Sequence, residues 1–139
     1  MPILTVFTPT FNRAYILHRC YESLLRQTNK NFIWLIIDDG STDNTKKLVT
    51  EWMNKENGFE IRYEYKKNGG MHTAHNKAYE LIDTELNVCI DSDDFMPDNA
   101  VELIVNFWDK YGSDKYSGIV SLDNDNKSHI IGTSLPNKK

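Results

Sequence analysis

The sequence predicts an α/β domain in which helices flank a mostly parallel central sheet. Short apolar runs of strand length alternate with longer segments of helical period, the pattern of successive strand, helix and strand units. One of the runs, FIWLIID, is apolar on both faces, as strands buried in a parallel sheet are. Acids and glycines collect directly behind the runs, where the loops of such a sheet share one rim.

The first expected strand is ILTVFTP, Ile3 to Pro9, followed by the helix AYILHRCYESLLRQ with Ile16, Leu17, Cys20, Leu24 and Leu25 on one stripe. Phe32 to Asp38 is the second, central strand. The helix NTKKLVTEWMNKE turns Leu48, Val49, Trp52 and Met53 inward, with Ser41, Thr42 or Asp43 available as its cap. EIRYEYK, Glu60 to Lys66, alternates as a half-exposed strand does and suits a sheet edge. A third helix runs from Met71 to Asp83, and Leu86 to Asp91 is a buried fourth strand. Pro97 precedes a fourth helix, DNAVELIVNFWDKY. SGIVSL and SHIIGT flank the polar run Asp123 to Lys127 and predict a hairpin. Trp34, Trp52 and Trp108, each within an apolar periodic run, are expected in the core.

At 139 residues and roughly 100 to 200 residues per domain, residues 1–139 make a single domain. A chain 40% hydrophobic and 26% charged is not disordered. No apolar run approaches the roughly 18 residues of a membrane span, and MPILTVFTPTFNR lacks the layout of a secretion signal, so a cytoplasmic protein is expected. A net charge of −4 speaks against a nucleic-acid partner. Cys20 and Cys89 lie in apolar stretches without a CxxC and read as buried, reduced thiols.

Four rim loops carry the unusual residues: Thr8 to Arg13, Asp38 to Asp43, Lys66 to Gly70, and Asp91 to Asp94. In DSDD, a strand continuing through Asp93 would point Asp91 and Asp93 to the same side. Two carboxylates held together call for a cation, and Mg²⁺ or Mn²⁺ takes one or two of them plus water and phosphate oxygens. An EF-hand register also aligns Asp91, Asp93 and Glu102, but Phe95 and Met96 replace a ligand and the required glycine. In DDGSTD, two adjacent acids at the end of a buried strand are costly unless one finds donors, and a nucleobase N–H or ribose hydroxyl would serve. Asn68-Gly69-Gly70 opens a helix whose backbone N–H groups, with Lys66 and Lys67, could face an anion. His72 and His75 form an HxxH without a third ligand, a weak metal pattern beside the DxD.

With TPTFNR, DDGSTDNT, NGGMHTAHNKA and DSDD in this order, the chain resembles the nucleotide-binding half of family 2 glycosyltransferases, over nearly its whole length. The resemblance implies a Rossmann-like GT-A fold, here truncated after the DxD region. It implies transfer of a sugar from a nucleoside-diphosphate donor, UDP above all, to a carbohydrate or lipid-linked hydroxyl acceptor, with inversion and with Mn²⁺ or Mg²⁺, as in polysaccharide biosynthesis. Pro9, Thr10 and Phe11 would border the nucleoside, Phe11 against the base. Asp39 would receive the N–H of a uracil-like base, with Asp38 supporting it. Gly70, Ala74 and Asn76 would let the third helix pack beneath the donor. Asp93 would be the main metal ligand and Asp91 would lie near ribose or metal, with Asp94 the next candidate. His75 stands where the family often has Arg, and Phe11 where it often has Tyr. The carboxylate that deprotonates the acceptor is expected beyond Lys139, which makes the chain a fragment of a longer enzyme working at the cytoplasmic face of a membrane.

Alternative readings are a nucleotide-sugar-binding module without transfer activity, a receiver-like Mg²⁺-binding signalling domain and a magnesium phosphatase. The last two place their acidic motifs after the first strand, where this chain has TPTFNR.

Overall fold

The computed structural model describes residues 2–110 in full and the backbone of 111, 120–124 and 127–133. Ten elements follow one another: β1 (Leu4–Thr10), α1 (Ala14–Leu25), β2 (Phe32–Asp38), α2 (Thr45–Met53), β3 (Glu60–Tyr65), α3 (Met71–Leu81), β4 (Leu86–Cys89), α4 (Ala100–Tyr111), β5 (Val120–Asn124) and β6 (Lys127–Thr133). The sheet order is β3-β2-β1-β4-β6-β5. β3, β2, β1 and β4 run parallel, while β6 lies antiparallel to β4 and pairs with β5 as the expected hairpin. The alternating strand is at the edge, as its half-exposed pattern requires.

Crossover handedness explains the layers. The chain steps from β1 to β2 to β3 in one direction, then doubles back past β1 to β4, and right-handed connections put the returning helix on the opposite face. α1, α2 and α4 accordingly share one core with Leu4, Val6, Trp34 and Ile36, whereas Phe7, Leu35 and Ile37 face Ala74 and Ala78 of α3. The two alanines let α3 approach the sheet closely. Tyr21, Trp34 and Trp52 stack within the larger core, with Tyr21 and Trp52 centroids 4.2 Å apart.

β1 carries three threonines although every residue in it is buried. Thr5 pairs with Thr84 at 2.6 Å, and Thr8 accepts the Trp34 indole N–H at 2.9 Å. Among the described residues the buried Thr10 Oγ1 has no hydrogen-bond partner.

Several expectations need correction at element ends. Met53 is exposed, because α2 stops there and its inward stripe ends at Trp52. Trp108 is only half buried, lying over the core edge with its N–H on Glu85. Cys20 is fully buried, but Cys89 is partly exposed at the end of β4. β4 itself stops at Cys89; one further backbone bond, Ile90 N–H to Phe7 O, finishes the ladder before Asp91.

Candidate functional site

β2 and β4 flank β1 after connections that leave in opposite directions, so the C-terminal end of β1 is the switch point where open parallel sheets bind ligands. Pro9 and Thr10 belong to β1 and are buried, and the Thr10 carbonyl already accepts Asp39 N–H at 2.8 Å. Of the three residues expected around the nucleoside, Phe11 is the exposed one.

Asn12, at φ 53°, latches the first loop to the second. Its N–H donates to Ser41 Oγ, and its Oδ1 accepts Thr42 N–H, both at 2.8 Å. Asp43 completes the latch by accepting Ala14 N–H at the start of α1 and Thr45 N–H at the start of α2, each at 3.1 Å. One carboxylate thus caps two helices, neither of which has a side-chain bond from its own cap residue. Its burial works against ionisation, but bonds from Thr45 and Ala14 outweigh this and hold its pKa below the usual carboxylate value.

Asp38 and Asp39, both almost fully buried, do different work. Asp38 is structural: Oδ1 accepts Ser41 N–H at 2.8 Å and Oδ2 accepts the Tyr63 hydroxyl, which burial and this carboxylate keep protonated by raising its pKa. Asp39 faces the third loop. Its Oδ1 accepts Lys66 Nζ at 2.8 Å and Gly69 N–H at 3.0 Å; its Oδ2 accepts Gly70 N–H at 3.0 Å and a long 3.4 Å contact from Asn68. Burial is again the largest influence and opposes charge, yet Lys66 and the two backbone donors together bring the Asp39 pKa below its ordinary value. The start of α3 does face an anion, as its glycines suggest, but that anion is Asp39 of the same chain.

Gly40 makes this packing possible. Its φ is +85°, and a Cβ there would lie 2.7 Å from the Asn68 backbone nitrogen. Gly70, at φ +100°, starts α3 in a conformation closed to other residues.

The DSDD segment departs from the sequence expectation. It is a turn, closed by Asp94 N–H to Asp91 O at 3.0 Å, so strand alternation does not align Asp91 with Asp93. Both are exposed, and among the described residues neither side chain has a hydrogen-bond or ion-pair partner. Asp94 points inward, its Oδ1 accepting Phe95 N–H. The segment is anchored from α1 and the turn after it: Ser23 Oγ accepts Met96 N–H at 3.1 Å, and Gln27 Oε1 accepts Val101 N–H at the start of α4. Among the described residues no group of three His, Cys, Asp or Glu side chains converges as a metal cage. Two exposed carboxylates fit an Mg²⁺ or Mn²⁺ that takes its other oxygens from water and phosphate.

His72 and His75 do not pair. His72 is exposed, whereas His75 bonds Met71 O through Nδ1, lies 3.6 Å from Cys89 Sγ through Nε2 and packs edge-on to Phe7. Asp43 was among the expected caps of α2 and is the one that bonds Thr45 N–H, but nothing along the chain pointed to its second cap on α1, to the Asn12 latch or to the hold of Tyr63 on Asp38. Lys66 was visible as charge beside the glycines, but its partner was not.

The comparisons fit this geometry. The sequence model described as Glycosyl transferase family 2 matches residues 5–137, and the chain belongs to that family. A chondroitin synthase of Escherichia coli is 35% identical over 106 residues, 76% of this chain and 15% of that protein. Glycosyltransferase GlyG of Streptococcus pneumoniae is 30% identical over 102 residues, 73% of this chain and 34% of the relative. Among solved structures, S. aureus TarS 1–349 in complex with UDP-GlcNAc aligns at TM-score 0.73 and 27% identity over 82% of this chain and 33% of its own. The mannosyltransferase PcManGT of Pyrobaculum calidifontis, in complex with GDP-Man and Mn²⁺, aligns at TM-score 0.74 and 25% identity over 88% of this chain and 36% of its own. The fold is that of these GT-A neighbours, and the chain spans about a third or less of the lengths of these proteins. A receiver or phosphatase reading finds no support.

Proposed function

We propose that residues 1–139 form one donor-binding domain of a glycosyltransferase that moves a sugar from a nucleoside diphosphate, UDP in the first instance, to a carbohydrate or lipid-linked hydroxyl, with inversion. The observation that carries the reading is the rim itself. Within the matched family region, two carboxylates, Asp38 and Asp39, are buried and bonded at the end of β2, two are exposed after β4, and the switch point at β1 lies between them. The neighbours in complex with UDP-GlcNAc and GDP-Man support a nucleotide-sugar donor, and the Mn²⁺ in the latter supports a divalent cation.

Phe11 offers a ring to the base. Asp39 accepts a ring N–H at Oδ2, where the 3.4 Å Asn68 contact is the weakest of its bonds. A carboxylate has about four acceptor positions, so exchanging that one leaves the other three bonds standing. Gly70 keeps the start of α3 close beneath the donor, while the buried Pro9 and Thr10 shape the floor rather than touch it from an exposed loop. Asp93 and Asp91 would hold Mn²⁺ or Mg²⁺. A cation held there would supply positive charge for the departing diphosphate. The carboxylate that takes the acceptor proton belongs, on this reading, to a segment beyond Lys139. Among the described residues no helix is long and apolar enough to cross a membrane.

Thermal stabilisation by UDP in Mn²⁺, by UDP in EDTA and by GDP tests the reading. A ligand at 100 times its dissociation constant stabilises by about 2.7 kcal/mol. A metal-dependent shift selective for UDP supports it; no shift with any nucleotide overturns it.

A further inference from the structure

Among the described residues, Lys66 is the one cation at the rim whose position is fixed from three directions. Its ammonium donates to Asp39 Oδ1 at 2.8 Å, to Lys67 O at 2.6 Å and to Thr73 Oγ1 at 2.8 Å, and Thr73 in turn donates to Gly70 O at 2.6 Å. The partners come from the loop after β2, the loop after β3 and the first turn of α3. An ammonium has three hydrogens, and all three are engaged. The ion pair is largely enclosed, with the Lys66 side chain 18% and the Asp39 side chain 2% exposed.

A base laid over Asp39 removes the remaining water, and desolvation favours the protonated acid. The two backbone N–H donors oppose that change, but the full positive charge at 2.8 Å opposes it more strongly. The protonation state matters because a carboxylate only accepts hydrogen bonds, whereas a carboxylic acid also donates one. An accepting group pairs with the ring N–H of uracil or guanine and is repelled by the ring nitrogen lone pair of cytosine.

We infer that Lys66 is a specificity-determining residue of the donor site: by holding Asp39 as a pure acceptor, it makes the site choose nucleotides whose base carries a ring N–H on its pairing edge over those that present a lone pair there. This rests on Asp39 reading the base. Lys66 acts through Asp39 and is a positioning residue.

The test is the ratio of CDP to UDP dissociation constants, by calorimetry in Mn²⁺, for the unmodified protein, Lys66→Met and Lys66→Arg, with melting curves confirming that each is folded. Replacing a charged hydrogen-bond partner by none should cut the preference for UDP about tenfold. Arginine, which restores the charge, should return most of it. Lys66→Gln, which keeps a donor without the charge, carries the same test if the methionine variant does not fold. An unchanged preference in a folded, uncharged variant overturns the inference and leaves the proposed function standing. Failure of the unmodified protein to bind UDP overturns both.

Discussion

The two sides of the rim are built in opposite ways. On the β2 and β3 side, Asp39 is buried, ionised and bonded to Lys66, Gly69 and Gly70, and Asn12 and Asp43 tie the neighbouring loops to it. On the β4 side, Asp91 and Asp93 stand exposed on a turn that is held by its backbone and from below by α1. On the proposed reading the first side would meet an uncharged base, and binding one gains from donors and acceptors fixed beforehand, because their ordering cost is already met within the fold. Two exposed carboxylates gain from staying in water, which screens their repulsion, and on the proposed reading this would leave them open to a cation.

Gly40→Ala should break the prebuilt side most completely. It forces a side chain into positive φ and against the Asn68 backbone, so a loss of about 3 kcal/mol in denaturant unfolding is expected, with loss of UDP binding. Asp39→Asn should cost about 2 kcal/mol at neutral pH by leaving Lys66 without its enclosed counter-charge. The Asp39 pKa is lowered by folding, so its contribution is full above the unfolded carboxylate value of roughly 4 and fades as pH falls through the lower folded value. The stability gap between Asp39→Asn and the unmodified protein should therefore narrow below about pH 4; a gap constant from pH 7 to pH 3 would contradict the ionised pair.

Asn12→Ala should remove the acceptor for Thr42 N–H and the residue type best suited to φ 53°, at about 1 kcal/mol by thermal melting. Asp93→Ala sharpens the contrast from the other side. Stability without ligand should stay within about 0.5 kcal/mol, as for an exposed side chain without partners. The Mn²⁺-dependent part of the shift with UDP should nevertheless vanish. A variant that melts lower by itself would show that the β4 turn is preorganised too.

Much of this was legible in the chain. The FIWLIID run became a wholly buried strand inside the sheet, the alternating EIRYEYK became an edge, and the expected hairpin formed with Asp123, Asn124 and Lys127 of the polar run drawn into its strands. The strand reading of DSDD failed because β4 pairing ends at Cys89, and nothing in the residues Ile90 to Asp94 shows where a neighbouring strand stops bonding. The backbone N–H groups of Gly69 and Gly70, read in the sequence as open to an anion, are bonded to Asp39 from another loop.

Periodicity, composition and motif order are local along the chain, so the sequence by itself determined the element types, the parallel α/β class, the family resemblance and the acids that reach the rim. Which acid is spent on structure and which stays open was decided by partners far apart in sequence: Lys66 reaches Asp39 across 27 positions, Asn12 meets Thr42 across 30, and Gln27 meets Val101 across 74. Such pairings depend on strand order and on right-handed crossovers that bring distant loops together at one end of the sheet, and only the folded chain settles them.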